Sequence, residues 1–340
     1  MKSNLKKVYT CCNNCESTNS TLVTTGTDYE CGVTDDLFSI VRCSNCGLLY
    51  MNPRPDLSEL PVIYPKHYAP YNVEDNYDDQ QRRSLYYKMR YKGVLSFIEQ
   101  SMLNLFPDKR DIVMLDIGCA DGHTLSCFKR IRYFNIDTYG VDISAEAVEK
   151  TRAKGHKVYL GRFEDVDLPH SFFDFVYASH VIEHVPDPKA FTRKVHDLLK
   201  PGGIFGFWTP NTASLDAKWF RHKYWGPYCF PRHWFMYDAE TVKQLAKATN
   251  FEFLNVCYAP IGPTWILTLH NIFKDNKYLT KYADLLFPPE GMVKLTVVNF
   301  LRNGFFAAVD LLLLLATGQT ANMGVAFRKP DTGMSQDALP

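Results

Sequence analysis

The sequence has almost no charge bias. Its 38 lysines and arginines meet 37 aspartates and glutamates, for a formal net charge of +1. Proteins that grip nucleic acid through phosphate contacts carry a basic excess, so no nucleic-acid partner is expected. No apolar h-region follows the basic, polar stretch Met1–Tyr9, so no secretory leader is expected there. No internal repeat is visible. The longest apolar run, Phe305–Ala316, is short for a membrane span and is broken by Asp310. Disorder is excluded for the bulk of the chain, because 46% of residues are hydrophobic. The 340 residues suffice for one large domain or two modest ones.

The ten cysteines are partly paired in sequence. In a reducing compartment such pairs point to metal rather than to disulfides, and a cytoplasmic location is expected. Cys12-Asn13-Asn14-Cys15 and Cys43-Ser44-Asn45-Cys46-Gly47 form a C-x2-C…C-x2-C pattern. Four thiolates at Cys12, Cys15, Cys43 and Cys46 would close a tetrahedral, structural zinc site. Cys11 is an alternative to Cys12 in the first knuckle.

Four zones follow from composition: a zinc-ribbon-like module at 1–58, an aromatic and helical linker or lid at 59–108, a large domain at 109–328, and a disordered tail at 329–340. The linker holds Tyr64, His67, Tyr68 and Tyr71, either closing over a ligand or packing on the core. A helix is predicted over Arg82–Phe106 from its apolar spacing. In the large domain, strands are predicted at Ile112–Ile117, Thr138–Asp142, Lys157–Leu160, Phe173–Ser179 and Gly203–Trp208, with helices such as Ala145–Lys154 and Lys189–Leu199 between them. That alternation predicts an α/β fold with a mostly parallel sheet covered on both faces.

The strand Val113–Ile117 carries Asp116 and runs into Gly118-Cys119-Ala120-Asp121-Gly122. The spacing is G-x-A-x-G, not the G-x-G-x-x-G of dinucleotide binders. Glycines at 118 and 122 let the backbone approach a ligand. A carboxylate before the turn repels a pyrophosphate and suits a cationic ligand such as S-adenosylmethionine. Asp142, followed by Ile143, ends the next strand, where an acid can accept from ribose hydroxyls. Phe163, Glu164 and Asp165 follow the third strand: Phe163 would cover an adenine and Asp165 would accept its amine. Ser179 ends the fourth.

On these residues the chain resembles the class I S-adenosylmethionine-dependent methyltransferases, closely over about 110–210 and more loosely beyond. The resemblance implies a seven-stranded Rossmann-like methyltransferase fold. It implies S-adenosylmethionine held by Asp116, Gly118, Cys119 and Gly122 at the methionine part, Asp142 and Ile143 at the ribose, and Phe163, Glu164 and Asp165 at the adenine, with Ser179 nearby. Ala120 stands where that family usually has glycine. The strings Ser179–Pro188 and Leu198–Gly203 resemble the subgroup that includes ubiquinone-biosynthesis O-methyltransferases and enzymes of polysaccharide clusters. Cys46–Pro55 resembles the ribbon of a subset that includes sugar C-methyltransferases.

An acceptor that must lose a proton needs a base near neutral pKa. His233 and His184 are the candidates, with His180 a weaker one. The expected function is O- or C-methylation of a small molecule, sugar or lipid-linked glycan. The alternatives are a quinone-type aromatic O-methyltransferase and a zinc-ribbon nucleic-acid-binding protein with a cofactor-sensing domain. An insertion at 259–320 separates the last two strands, which are normally joined by a short turn. Its apolar stretch 295–316 is read as a buried helix, a dimer interface, or a peripheral contact with the inner membrane face, with Lys274, Lys277 and Lys281 preceding it.

Overall fold

The computed structural model describes residues 4–65, 100, 102–289 and 296–331. His67, Tyr68, Tyr71, Leu295 and most of the helix predicted over 82–106 lie outside the described residues.

The N-terminal part is built of β1 (Lys7–Val8), β2 (Ser20–Gly26), β3 (Phe38–Cys43), β4 (Leu49–Met51) and β5 (Arg54–Pro55), followed by the short helix α1 (Leu60–Ile63). β1 pairs with β5, and β2, β3 and β4 form an antiparallel ladder.

The larger part alternates as the apolar runs require: β6 (Asp111–Ile117), α2 (His123–Phe128), β7 (Asn135–Asp142), α3 (Ala145–Ala153), β8 (Lys157–Leu160), β9 (Phe173–Ser179), α4 (Pro188–Leu198) and β10 (Leu199–Pro210). Helix starts sit where capping side chains stand. Ser144 accepts from the Ala147 N–H at the start of α3, and Asp187 from Ala190 at the start of α4, with Pro188 next in line. Then come α5 (Leu215–Phe220), β11 (Phe235–Met236), α6 (Ala239–Ala248), β12 (Glu252–Tyr258), three helices of the insertion, α7 (Pro263–Asp275), α8 (Thr280–Leu286) and α9 (Val297–Thr317), and finally β13 (Asn322–Arg328).

The seven-stranded sheet runs β12-β13-β10-β9-β6-β7-β8. Its five strands from β10 to β8 are parallel, while β13 is antiparallel to both β10 and β12. This is the Rossmann-like methyltransferase arrangement. The chain order reverses direction at β6, so the crevice beyond the carboxyl ends of β6 and β9 is where a ligand should sit.

Two features differ from the sequence reading. The ribbon is not a separate bead: β11 from the large domain pairs with β4, Phe235 opposite Tyr50 and Met236 opposite Leu49. One continuous core joins Phe38, Ile40 and Tyr50 of the ribbon to Leu115, Val176 and Phe205 of the sheet. The first knuckle also docks on helix starts. Asn13 donates to Asp187 and accepts from the Lys189 N–H, and Asn14 donates to the Thr241 carbonyl. In addition, Lys329, assigned to the tail, is tied down, its ammonium donating to the carbonyls of His196 and Leu199 at 2.8 Å each.

Candidate active site

The turn after β6 is shaped by three consecutive constraints. Gly118 and Gly122 have φ of +73° and +75°. A Cβ on Gly122 would stand 2.6 Å from the Thr151 methyl, and one on Gly118 3.0 Å from that of Val181. Ala120 adopts φ +45° with a side chain in place, a conformation costly for an L-residue. Asp142 pins it there: its carboxylate accepts from the Ala120 N–H at 2.9 Å and from the Ser144 N–H at 2.8 Å. The Thr151 hydroxyl donates to the Ala120 carbonyl at 2.8 Å. Beneath the turn Asp116 is buried. Burial first and the Asp142 charge second push its carboxyl well above the ordinary range.

A cavity of about 960 Å³ opens over this turn. One end is walled by Gly118, Asp142, Ile143, Phe163, Glu164 and Ser179, the other by Tyr64, His184, His233, Trp234 and Glu30. A third wall comes from the insertion, through Ile261, Pro263, Thr264 and Leu267. Four sequence candidates do not line it. Asp116 and Cys119 are buried below the turn, the Cys119 sulfur filling the space a Cβ on Gly140 would need. Gly122 shapes the start of α2. Asp165 is largely exposed, its side chain 68% accessible and 3.9 Å from Arg162.

At the second end of the cavity two imidazoles meet edge to face, the His184 and His233 ring centroids 4.5 Å apart. His233 Nδ1 lies 2.7 Å from the Pro227 carbonyl. A carbonyl only accepts, so Nδ1 carries the proton and Nε2 the lone pair. Burial, and then the neighbouring His184, lower the His233 pKa to about 3. His184 Nδ1 lies 3.2 Å from the Arg232 carbonyl and 2.9 Å from the Tyr64 hydroxyl, and burial lowers its pKa as well. Behind them Glu183 is fully buried. Burial alone would raise its pKa, but the hydrogen bond from His180 at 3.0 Å outweighs that and holds it below the ordinary range. His180 at φ +54° therefore serves Glu183 and lies at the cavity edge. Ligand-capable atoms of Glu183, His184 and His233 lie within 4.8 Å of one another. The third member, His233, comes from a segment distant in sequence.

Sequence reading missed Asp28 and Glu30. The Arg232 guanidinium donates to Asp28 through both terminal nitrogens, to the Ile63 carbonyl at 2.7 Å and to the Phe230 carbonyl at 3.1 Å. Glu30 lines the cavity, accepts from the Cys229 thiol at 3.2 Å, and stands 3.7 Å from Arg232. Burial raises its pKa despite that cation. No spacing in the sequence pairs these residues; only the return of β11 to the ribbon does.

The sulfurs of Cys12, Cys15, Cys43 and Cys46 lie within 4.8 Å of one another, the closest pairs at 3.3 Å (Cys12 and Cys46) and 3.5 Å (Cys15 and Cys43). Cys11 is exposed and outside the cluster. The donor set and its enclosure fit a tetrahedral zinc ion.

Residues 88–256 match the family described as a methyltransferase domain. Ubiquinone biosynthesis O-methyltransferase from Rhodopseudomonas palustris is 36% identical over 112 residues, 31% of this chain and 41% of that relative. Among solved structures, an S-adenosylmethionine dependent methyltransferase from Mesorhizobium loti aligns at 14% identity over 67% of this chain and 96% of that one, with a TM-score of 0.42. Phosphoethanolamine N-methyltransferase 2 from Haemonchus contortus aligns at 19% identity over 68% and 52%, also at a TM-score of 0.42.

Proposed function

As residues 88–256 place this chain in the class I S-adenosylmethionine-dependent methyltransferase family, we propose that it methylates a small-molecule or glycan acceptor. The observation that carries this is the continuity of one cavity from Asp142 and Phe163 to His184 and His233. The cofactor supplies an already activated methyl on its sulfonium. The cradle suits such a ligand: Asp142 stands beside the buried Asp116, whose carboxyl its charge pushes further up, and Gly118 leaves no room for a side chain. Asp142 and Ile143 would hold the ribose, and Phe163 and Glu164 the adenine.

The rest of the work is positioning. Trp234, Tyr64 and Leu267 exclude water from the acceptor end. With its pKa held at about 3 by burial, His233 is too weak to deprotonate a resting hydroxyl, contrary to the sequence expectation of a near-neutral base; its Nε2 takes the proton only as the forming bond to the methyl acidifies the acceptor oxygen, and the Glu183 carboxylate favours the imidazolium that results. Glu30, whose carboxyl is pushed up by burial, lines the same wall and would meet a polar group of the acceptor. Zinc, held by the four cysteines, fixes the ribbon and through β11 the loop that carries His233.

A quinone-type aromatic acceptor is the second reading. It is favoured by the name of the relatives and by the aromatic walls at Tyr64 and Trp234. Calorimetry with S-adenosylmethionine, followed by label transfer to panels of nucleotide sugars and of catechol-type phenols, tests both. No cofactor binding sinks the proposal as a whole; transfer to phenols alone moves it to the second reading.

A further inference from the structure

The insertion between β12 and β13 wears its polarity inside out. In α9 the residues turned inward are Asn299, Phe306 and Asp310. Asp310 accepts from the Gly262 N–H at 2.8 Å and from the Trp265 indole at 2.7 Å, which holds the helix against α7. Outward stand Val297, Val298, Leu301, Phe305, Leu312 and Leu315, between 63% and 76% exposed. A helix facing water shows the reverse pattern. The apolar surface continues onto α8, where Leu285 is exposed and the Leu286 carbonyl accepts from Arg302 of α9 at 2.7 Å.

Charge on this surface is one-sided. Lys277 and Lys281 are exposed, their ammonium groups 4.8 and 4.9 Å from the ring centroids of Tyr278 and Tyr282. The acids of the insertion among the described residues are already engaged: Asp275 with Lys223 and Tyr224, Asp284 with Lys274, Asp310 with the indole. An isologous pairing of two copies would therefore meet these lysines with no free carboxylate among the described residues of the insertion.

We infer that this face docks on an anionic lipid bilayer. α9 lies along the surface with its leucines and Phe305 in the acyl boundary, and Lys277, Lys281 and the two tyrosines sit at headgroup depth. It does not cross: Asp310 binds it to α7, and five residues after its end the chain is in β13. Ile261, Pro263, Thr264 and Leu267 of the same insertion wall the cavity. If the proposed methyl transfer holds, the acceptor end then opens beside the membrane and suits an acceptor with a lipid anchor. The docking itself does not depend on that activity.

Flotation of the full chain tests it, with vesicles of phosphatidylcholine alone and with phosphatidylglycerol added. The chain should float with the anionic vesicles at low salt and be released as salt rises. Lys277→Gln and Lys281→Gln should each weaken partitioning about fivefold. Leu301→Glu combined with Leu312→Glu and Leu315→Glu should abolish flotation while cofactor binding by calorimetry is retained. Should that triple variant lose cofactor binding, the two lysine variants, which alter only exposed side chains, carry the test. Wild type that stays in the soluble fraction overturns the inference. So does a dimer that the triple variant dissociates in the absence of any flotation, which would assign the face to a second copy.

Discussion

Arg232 and Asp28, 204 residues apart in sequence, form a two-pronged ion pair at 3.0 and 3.1 Å with neither side chain exposed. Asp28 also accepts the N–H groups of Cys31 and Val33 at 3.0 and 2.9 Å. The pair thus fastens the ribbon loop that presents Glu30 to the segment that presents His233. It bridges two parts of the chain and sets the acceptor end of the cavity without touching the cofactor end.

Arg232→Leu leaves Asp28 buried without its cation, and removing one partner of such a pair costs about 3–5 kcal/mol. Urea unfolding should show a loss of that order. A change within experimental error would mean the loop is held by its backbone bonds alone. A milder Arg232→Lys variant should keep cofactor affinity while losing turnover, because a lysine cannot reproduce the fork.

Asp142→Ala should weaken S-adenosylmethionine binding by at least tenfold. The carboxylate both orders the turn through Ala120 and Ser144 and is placed to accept from ribose, and hydrogen bonds to a charged group contribute roughly 1.5–3 kcal/mol each. Unchanged affinity in calorimetry would move the ribose contact elsewhere.

Ala120→Gly should raise stability by up to about 1 kcal/mol, since φ +45° strains an alanine but not a glycine. Thermal unfolding with and without cofactor checks it. A lower melting temperature would show that the methyl makes a packing contribution larger than the strain.

Cys43→Ser should lower zinc content from about one ion per chain, as four-thiolate sites require. Because β4 pairs with β11 next to Trp234, the change should also perturb indole fluorescence and turnover. Zinc loss with an unaltered acceptor end would separate the ribbon from the site.

His233 contributes a pH dependence of definite sign. Its folded pKa of about 3 lies below the ordinary imidazole value of 6.5, so the unfolded chain binds the extra proton first. The stability from its neutral burial is complete above about pH 6.5 and is lost as pH falls toward 3. Glu183, also lowered, from 4.5 to about 2, acts in the same direction, its contribution complete above about pH 4.5 and lost as pH falls toward 2. His233→Gln should flatten the stability profile between pH 6.5 and 3; an unchanged slope would assign the acid sensitivity to other groups.

The strands of the large domain were legible because each is a short apolar run closed by glycine, proline or a capping acid. The strand predicted over 157–160 matches β8 to the residue, and that over 173–179 matches β9. That Gly118, Asp142 and Phe163 line one cavity follows from the same local order, since parallel strands bring consecutive strand ends to one edge. Asp165 does not line the cavity, which the sequence could not show because a position one residue along a loop can face either way. The apolar stretch of the insertion could be read as buried, dimeric or membrane-bound. Composition records how apolar a helix is and not which of its faces another element covers.

By itself the sequence determined the sheet, its glycine turn, the acids at its strand ends and the four cysteines, all features whose partners are near in sequence or repeat with the period of a strand or helix. Only the tertiary structure decided that Phe235–Met236 completes the ribbon's sheet, that Asp28 and Glu30 meet Arg232, and that His184 and His233 share one wall. Such contacts join residues far apart along the chain. They are settled by how buried surfaces and buried charges find partners in three dimensions, which no local pattern encodes.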